Sequence, residues 1–234
     1  MSDVSFLQKG KGKDLLFLHG YLSSKEAFYA QIEYFSKFYK VTALDFLGFG
    51  GSKPLTQPFS VTDYAEWTVE VLKLLRVKNP HVIAHSFGCR VAVKMASKDN
   101  SVFDKILLTG PAGVILKRSF SYHLKVRAYK LVKRIAPQTA ERKFGSAEYK
   151  TLSPVMKESF KKIVNEDLRA DARKIGNEVC IVEGVSDKTT PMKEAEAYLA
   201  CFARGRLKTL EGGHFSFVEN PLAFNLITEE FLYD

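Results

Sequence analysis

The sequence predicts an α/β fold, in which a mostly parallel sheet is flanked by helices and interrupted by one inserted helical segment. Short apolar runs alternate with segments of helical periodicity along most of the chain, which is typical of parallel strands joined by crossover helices. The alternation stops between Gly113 and Gly176, where the chain is charged and favours helix. We therefore divide the 234 residues into a core, 1–113 and 177–234, and a basic helical cap or lid, 114–176.

The elements follow from these runs in chain order. The predicted strands are Leu15–Leu18, Val41–Leu44, His81–Ala84, Lys105–Thr109, Glu178–Val182 and Leu207–Leu210. The predicted helices lie near Lys25–Lys37, Thr62–Arg76, Phe87–Lys98, Pro191–Cys201 and Leu222–Phe231. Ser60 or Thr62 could cap the second helix, and Pro191 suits the first turn of the fourth.

The predicted insertion accounts for the net positive charge of the whole chain. It holds 16 lysines and arginines against 6 acidic residues, while the complete chain has a net charge of +9. Apolar residues recur at helical spacing over Phe120–Ile135, with basic residues off that stripe. The segment could be a solvated cap, could attract an anionic substrate, or could dock weakly on anionic lipid. Nucleic-acid binding is the weakest alternative, because no recognition motif accompanies the basic residues.

Cysteine usage and hydropathy indicate the compartment. Cys89, Cys180 and Cys201 show no metal-type spacing, and two of them fall in predicted core elements, so we expect buried, reduced thiols. The first residues lack the pattern of a signal peptide, and no apolar stretch reaches the length that spans a bilayer. We therefore expect a cytoplasmic protein.

The most informative segment is the passage from the strand at His81–Ala84 into the helix that begins at Phe87. Almost no loop separates the two elements, and Ser86 sits on the corner, where the backbone is expected to be strained. Ala84 and Gly88 are small enough for the helix to pack on the strand, and the helix N-terminus offers free N–H groups. This arrangement is typical of a nucleophile elbow. Taken alone, it could also be an ordinary turn with an exposed serine.

Residues that follow other strands supply partners for this serine. Asp187 follows the fifth predicted strand and His214 follows the sixth, so both are expected at the same sheet edge as Ser86. A serine needs a base to remove its proton, and that base needs a carboxylate to orient it. Among other carboxylates, Asp104 precedes its strand, and Asp45 lies in a glycine-rich loop that it could brace.

Five motifs together resemble the α/β-hydrolase family over nearly the whole chain. They are His19-Gly20, Asp-x-x-Gly-x-Gly-x-Ser at 45–52, the corner at Ser86, Gly-x-x-Asp-x-x-x-Pro at 184–191, and Gly213-His214.

The resemblance implies that Ser86 is the nucleophile, His214 the general base and acid, and Asp187 its partner. It also implies an oxyanion hole from the backbone N–H groups of Phe87 and Tyr21.

We therefore expect a serine hydrolase that cleaves a small to medium carboxylic ester or thioester through an acyl-enzyme. Phe46, Phe215 and His123 are candidate substrate-binding residues, and no metal or organic cofactor is expected. The partner would be a small molecule, with the protein a monomer or a homodimer. A hydrolase or lyase of carbon–carbon bonds on the same triad remains an alternative, as does a receptor that binds a ligand without turnover.

Overall fold

The computed structural model describes residues 3–116, 149 and 151–233. Its strands are β1 (Phe6–Lys9), β2 (Asp14–Leu18), β3 (Lys40–Leu44), β4 (His81–His85), β5 (Lys105–Thr109), β6 (Glu178–Gly184) and β7 (Gly205–Leu210). Its α-helices are α1 (Tyr29–Phe35), α2 (Val61–Leu74), α3 (Phe87–Lys98), α4 (Pro154–Val164), α5 (Arg169–Ala172), α6 (Met192–Leu199), α7 (Ser216–Glu219) and α8 (Pro221–Tyr233).

The seven strands form one mostly parallel sheet, which confirms the predicted α/β fold. Their order is β1-β3-β2-β4-β5-β6-β7, and every neighbouring pair is parallel except β1 with β3. The six predicted strands correspond to β2–β7. The strand β1 was not predicted, because it lies at the sheet edge with two of its four residues exposed and therefore lacks a continuous apolar run.

The sheet has a hydrophobic core on each face. One core packs α2 and α3 onto residues such as Leu16 and Leu18, and the other packs α1 and α8 onto Leu15 and Phe17. The inner strands are buried on both faces, which explains why they read as apolar runs in the sequence.

Local signals set several helix ends. Ser60 and Asp63 form a capping box at the start of α2, in which each side chain accepts a hydrogen bond from the other residue's backbone. The predicted helix near Lys25–Lys37 instead begins as a 3-10 turn, Lys25–Phe28, and continues as α1. Within the described residues, no helix combines the length and hydropathy that crossing a membrane requires.

Part of the segment 114–176 is described, and it contacts the rest of the chain at several points. The Leu168 N–H donates to the Gly113 carbonyl at 2.8 Å, and the Phe59 N–H donates to Ser159 Oγ at 2.9 Å. Lys94 on α3 forms ion pairs with Glu166 and Asp171, at 2.8 Å and 2.7 Å. The predicted helix at Phe120–Ile135 lies outside the described residues.

Close packing at Gly88 joins α3 to the end of β2. A Cβ atom at this position would lie 2.8 Å from the His19 carbonyl oxygen and closer still to that of Leu18. Both contacts are with backbone, which cannot rotate away. The passage from β4 into α3 therefore requires a glycine here.

We expect Gly88→Ala to lower the melting temperature by about 3–10 °C, since overpacking of this kind typically costs about 1–3 kcal/mol. Gly176→Ala is the matched control, because among the described residues a Cβ there would meet the Asn100 side-chain oxygen alone, at 3.2 Å. Thermal unfolding followed by circular dichroism measures both variants. An equal, small shift in the two would contradict the packing constraint.

Candidate active site

Ser86 occupies the corner between β4 and α3 with a backbone conformation that side chains rarely adopt. Its φ is 51° and its ψ is −107°. The Ser86 N–H donates to the Thr109 carbonyl on β5 at 3.1 Å, and the Ser86 carbonyl accepts from the Cys89 N–H at 3.1 Å. Strain of this kind persists where the surrounding structure enforces it, and it is common at functional sites.

The structure brings His214 between Ser86 and Asp187. His214 Nε2 lies 2.9 Å from Ser86 Oγ, and His214 Nδ1 lies 2.7 Å from Asp187 Oδ2. An ionised carboxylate can only accept hydrogen bonds, so Nδ1 carries the proton and Nε2 is left to accept from the serine hydroxyl. The three residues predicted from separate strand ends thus form one continuous hydrogen-bonded chain.

The carboxylate of Asp187 is buried yet held in its ionised form. Burial by itself would raise its pKa, but hydrogen bonds from His214 and from the Thr190 and Thr189 N–H groups outweigh it and bring the pKa well below its usual range. Thr190 Oγ1 adds a further bond to Asp187 Oδ2, at 2.9 Å. A negative charge beside His214 is the arrangement that stabilises an imidazolium cation.

Two contacts fix the loop that carries His214. The His85 side chain uses Nε2 to bond the His214 carbonyl oxygen at 2.9 Å. Burial lowers the pKa of His85 to about 3, so the ring is neutral and donates this bond through Nε2–H. Ser186 N–H donates to the Gly212 carbonyl at 2.9 Å, which ties the Asp187 loop to the His214 loop.

His19 shapes the loop that passes over the serine. Its Nε2 accepts from the Phe46 N–H at 3.1 Å, and its Nδ1–H donates to the Gly20 carbonyl at 2.7 Å. Burial lowers its pKa to about 4, so the ring stays neutral. A Cβ at Gly20 would lie 3.4 Å from Ser86 Cβ, so the backbone of Gly20, the residue before Tyr21, lies close to the serine.

A cavity of about 530 Å³ opens onto Ser86 and His214. The described residues that line it come from loops, from the end of β4, and from the helices α3, α4 and α6. They are Gly20, Tyr21, Leu22, Ser23, His85, Ser86, Phe87, Arg90, Ala112, Phe160, Ile163, Val164, Thr189, Thr190, Glu194, His214 and Phe215.

Of the two predicted substrate-binding residues that the structure describes, Phe215 is in this lining and is 42% exposed. The prediction that Phe46 binds substrate is corrected, because its side chain is completely buried behind the cavity wall. Its ring centroid lies 4.9 Å from that of His19 and 5.2 Å from that of Phe87. Phe46 therefore supports Phe87 rather than facing the cavity. His123 lies outside the described residues.

Several residues of the site were not found from the sequence. Thr190 supports Asp187, and its position directly before Pro191 in a short polar loop was a usable signal. Arg90 is a buried cation in an otherwise apolar stretch of α3, and Glu183 is an acidic residue inside a buried strand. Charged residues at such positions are unusual, because burial costs free energy unless a partner compensates.

The fold and the sequence both match one family. A sequence profile described as the alpha/beta hydrolase fold matches residues 14–149, which is more than half of the chain. The protein belongs to the α/β-hydrolase fold family.

Three similar sequences cover part of this chain or share low identity with it. The (E)-2-((N-methylformamido)methylene)succinate hydrolase of Acinetobacter baylyi is 36% identical over 36% of this chain and 32% of its own length. The probable lysophospholipase BODYGUARD 3 of Arabidopsis thaliana is 30% identical over 54% of this chain and 26% of its own length. The match thus spans a third or less of either relative. An uncharacterized protein of Mycobacterium bovis, Mb2734, is 23% identical over 97% of this chain and 77% of its own.

Solved structures share the fold over nearly the whole length. An esterase from Exiguobacterium antarcticum has a TM-score of 0.80 at 21% identity, covering 99% of this chain and 96% of its own. A meta-cleavage product hydrolase from Pseudomonas fluorescens has a TM-score of 0.76 at 20% identity, covering 98% and 94%. At these identities, the likeness establishes the fold alone.

Glu183 lies four residues before Asp187, near the end of β6. Its side chain is fully buried, and within the described residues neither carboxyl oxygen has a hydrogen-bond partner. Burial, together with the negative charge of Asp187, raises its pKa to about 9. Glu183 is therefore a neutral acid at pH 7.

We expect Glu183→Gln to stabilise the protein increasingly as pH rises from 5 to 8. The unfolded chain loses this proton near the ordinary pKa of 4.5, while the folded chain keeps it up to about 9, so the wild type loses stability across that interval. Glutamine does not titrate. The melting temperature of Glu183→Gln minus that of the wild type should increase by roughly 3–8 °C from pH 5 to pH 8. Glu211→Gln, at an exposed position, is the control. A difference that does not change with pH would contradict the assignment.

Proposed function

We propose that the protein is a serine hydrolase that cleaves a small to medium carboxylic ester or thioester through an acyl-enzyme on Ser86. The observation that carries this proposal is the chain from Ser86 Oγ to His214 Nε2, 2.9 Å, and from His214 Nδ1 to Asp187 Oδ2, 2.7 Å. It joins a nucleophile, a base and an orienting carboxylate within hydrogen-bonding distance.

In the proposed acylation, Ser86 Oγ attacks the carbonyl carbon while His214 Nε2 takes the hydroxyl proton. Asp187 stabilises the resulting imidazolium through Nδ1–H. The tetrahedral intermediate collapses when His214 returns the proton to the leaving oxygen or sulfur, and the bond to that atom breaks. In deacylation, water repeats the sequence, releasing the carboxylic acid and regenerating Ser86. This chemistry requires no metal or organic cofactor.

The backbone N–H groups of Tyr21 and Phe87 are the proposed oxyanion donors. Phe87 is the first residue of α3, where helical N–H groups lack partners and the helix dipole favours negative charge. Both residues line the cavity, and in the described part of the chain neither N–H has a protein acceptor. Donors of this kind, aimed where charge develops, contribute strongly to acyl transfer.

Residues 114–176 are proposed to cap the site. In support, Phe160, Ile163 and Val164 of the insertion line the cavity. The Tyr21 hydroxyl donates to the Met156 carbonyl at 3.2 Å, and the rings of Tyr21 and Phe160 pack with centroids 5.2 Å apart. These contacts join the insertion to the loop that carries a proposed oxyanion donor.

The size and lining of the cavity support a compact substrate. About 530 Å³ lies in the lower part of the range of small-molecule sites, and aromatic and aliphatic side chains form much of the wall. A short acyl or alcohol group fits such a space, whereas a long acyl chain would extend beyond it.

Two alternatives use the same geometry. A carbon–carbon bond hydrolase or lyase would pair the same triad with a different electrophile, and the fold likeness to the Pseudomonas fluorescens hydrolase makes a meta-cleavage product a fair test substrate. A receptor would react once and stop. A burst of product without turnover would favour the receptor, and turnover of the meta-cleavage product alone would favour the carbon–carbon hydrolase.

We expect the wild type to turn over p-nitrophenyl esters from acetate to decanoate, with the shorter acyl chains preferred. Ser86→Ala should lower kcat by about three orders of magnitude or more, and Asp187→Asn by roughly 10³–10⁴-fold, because it favours the wrong tautomer of His214.

Ser23→Ala is the matched control, since Ser23 lines the same cavity away from the hydrogen-bonded chain. A fluorophosphonate should label the wild type and Ser23→Ala but not Ser86→Ala. Equal activity of Ser86→Ala and wild type, or labelling that persists without Ser86, would contradict the proposal.

A further inference from the structure

Arg90 lies one helical turn after Ser86 on α3, in a part of the helix where every residue from Phe87 to Ala96 is buried. Its side chain is only 7% exposed, yet it lines the cavity that contains Ser86 and His214. A buried guanidinium is costly unless an anion or several acceptors compensate it.

The protein supplies little of that compensation. Within the described residues, the guanidinium makes one hydrogen bond, from Nη1 to the Glu166 carbonyl oxygen at 2.7 Å. A guanidinium has five N–H donors, so most of them have no protein acceptor there.

The neighbouring carboxylates are not ion-pair partners of Arg90 in the described part of the chain. Glu166 pairs with Lys94 at 2.8 Å, and Asp167 pairs with Arg169 at 2.6 Å. Glu194 lies on the same cavity wall, and its charge acts on Arg90 through space.

Burial lowers the pKa of the Arg90 guanidinium, which reflects the same cost of holding a cation away from water. Arginine nevertheless keeps its charge in proteins. Arg90 therefore contributes a fixed positive charge to the cavity wall, beside the apolar side chains of Phe160, Ile163 and Val164. Such surroundings strengthen the attraction of an anion relative to water.

We propose that Arg90 binds a carboxylate group of the substrate, so that the preferred substrate is a small ester or thioester that carries a second, free carboxylate. The inference rests on the proposed function of Ser86 and deepens it. A carboxylate is favoured over a phosphate, because a phosphate monoester brings a charge closer to −2 into a cavity that also holds the Glu194 side chain.

A structural role for Arg90 gives a different expectation. If the residue served only to hold the insertion through the Glu166 carbonyl, its replacement would weaken the turnover of every substrate to the same extent. A carboxylate-binding role affects only the charged substrate. Two esters of equal chain length therefore separate the roles.

The kinetic test compares p-nitrophenyl pentanoate with mono-p-nitrophenyl glutarate, which differ in the terminal carboxylate. The wild type should prefer the glutarate ester by roughly 10- to 100-fold in kcat/KM, mainly through KM. Arg90→Gln should abolish this preference, because it lowers kcat/KM for the glutarate ester far more than for the pentanoate ester, and Arg90→Lys should restore part of it.

Lys98→Gln is the control, because it removes the same charge from the same helix at a residue 47% exposed in its side chain. A different result would be that the preference for the glutarate ester survives in Arg90→Gln and disappears at high salt. That result would assign the attraction of the anion to the basic segment 114–176, and it would overturn the role of Arg90. Equal loss of both activities in Arg90→Gln would also overturn it.

A binding test makes the inference independent of turnover. Glutarate should raise the melting temperature of Ser86→Ala and have no effect on the Ser86→Ala, Arg90→Gln double variant. Inorganic phosphate, used in parallel, should give the smaller shift in melting temperature. A larger shift with phosphate would mean that Arg90 binds a phosphate group and not a carboxylate.

If the wild type hydrolyses neither ester but glutarate stabilises Ser86→Ala through Arg90, the anion site stands and the proposed esterase activity fails. If glutarate has no effect on Ser86→Ala and the wild type shows no preference, the inference is wrong.

Discussion

The backbone of Ser86 has to hold a φ of 51° while it joins the central strand β4 to α3, and contacts from both neighbouring strands enforce that conformation. On one side, Gly88 packs against the carbonyl groups at the end of β2; on the other, the Thr109 carbonyl at the end of β5 accepts the Ser86 N–H. The strained corner is thus a product of the strand order. The loops that carry Asp187 and His214 meet this corner because β6 and β7 continue the same parallel sheet.

Burial separates the roles of the histidines around this corner. His19 and His85 are completely or almost completely buried, and burial lowers their pKa values to about 4 and about 3. His19 uses both ring nitrogens on backbone groups, the Phe46 N–H and the Gly20 carbonyl, whereas His85 uses Nε2 on the His214 carbonyl. His214 alone, in the described residues, joins a carboxylate to a serine hydroxyl. The two neutral rings keep the proposed donors and the base in position without competing for the proton.

The sequence predicted those features that depend on strand burial and chain order. The inner strands are apolar on both faces, so each one shows as a run, and parallel strands place their carboxyl ends at one edge, so Ser86, Asp187 and His214 could be grouped. The half-exposed β1 leaves no such run. Phe46 lies in a loop, where no helical or strand periodicity indicates which way its side chain points. The environments of Arg90 and Glu183 depend on what packs against them from distant segments, which a single sequence does not specify.

The contact between Tyr21 and helix α4 determines whether that helix can be replaced by the equivalent helix of another protein. The Tyr21 hydroxyl bonds to the main chain of Met156, so the partner is a carbonyl position and not a particular side chain. Point substitutions in α4 would leave that bond in place, whereas a graft of a helix with a different path would remove it. Helix α4 and the loop after β2 therefore form a single unit for protein engineering, and a chimaera would have to transfer both together.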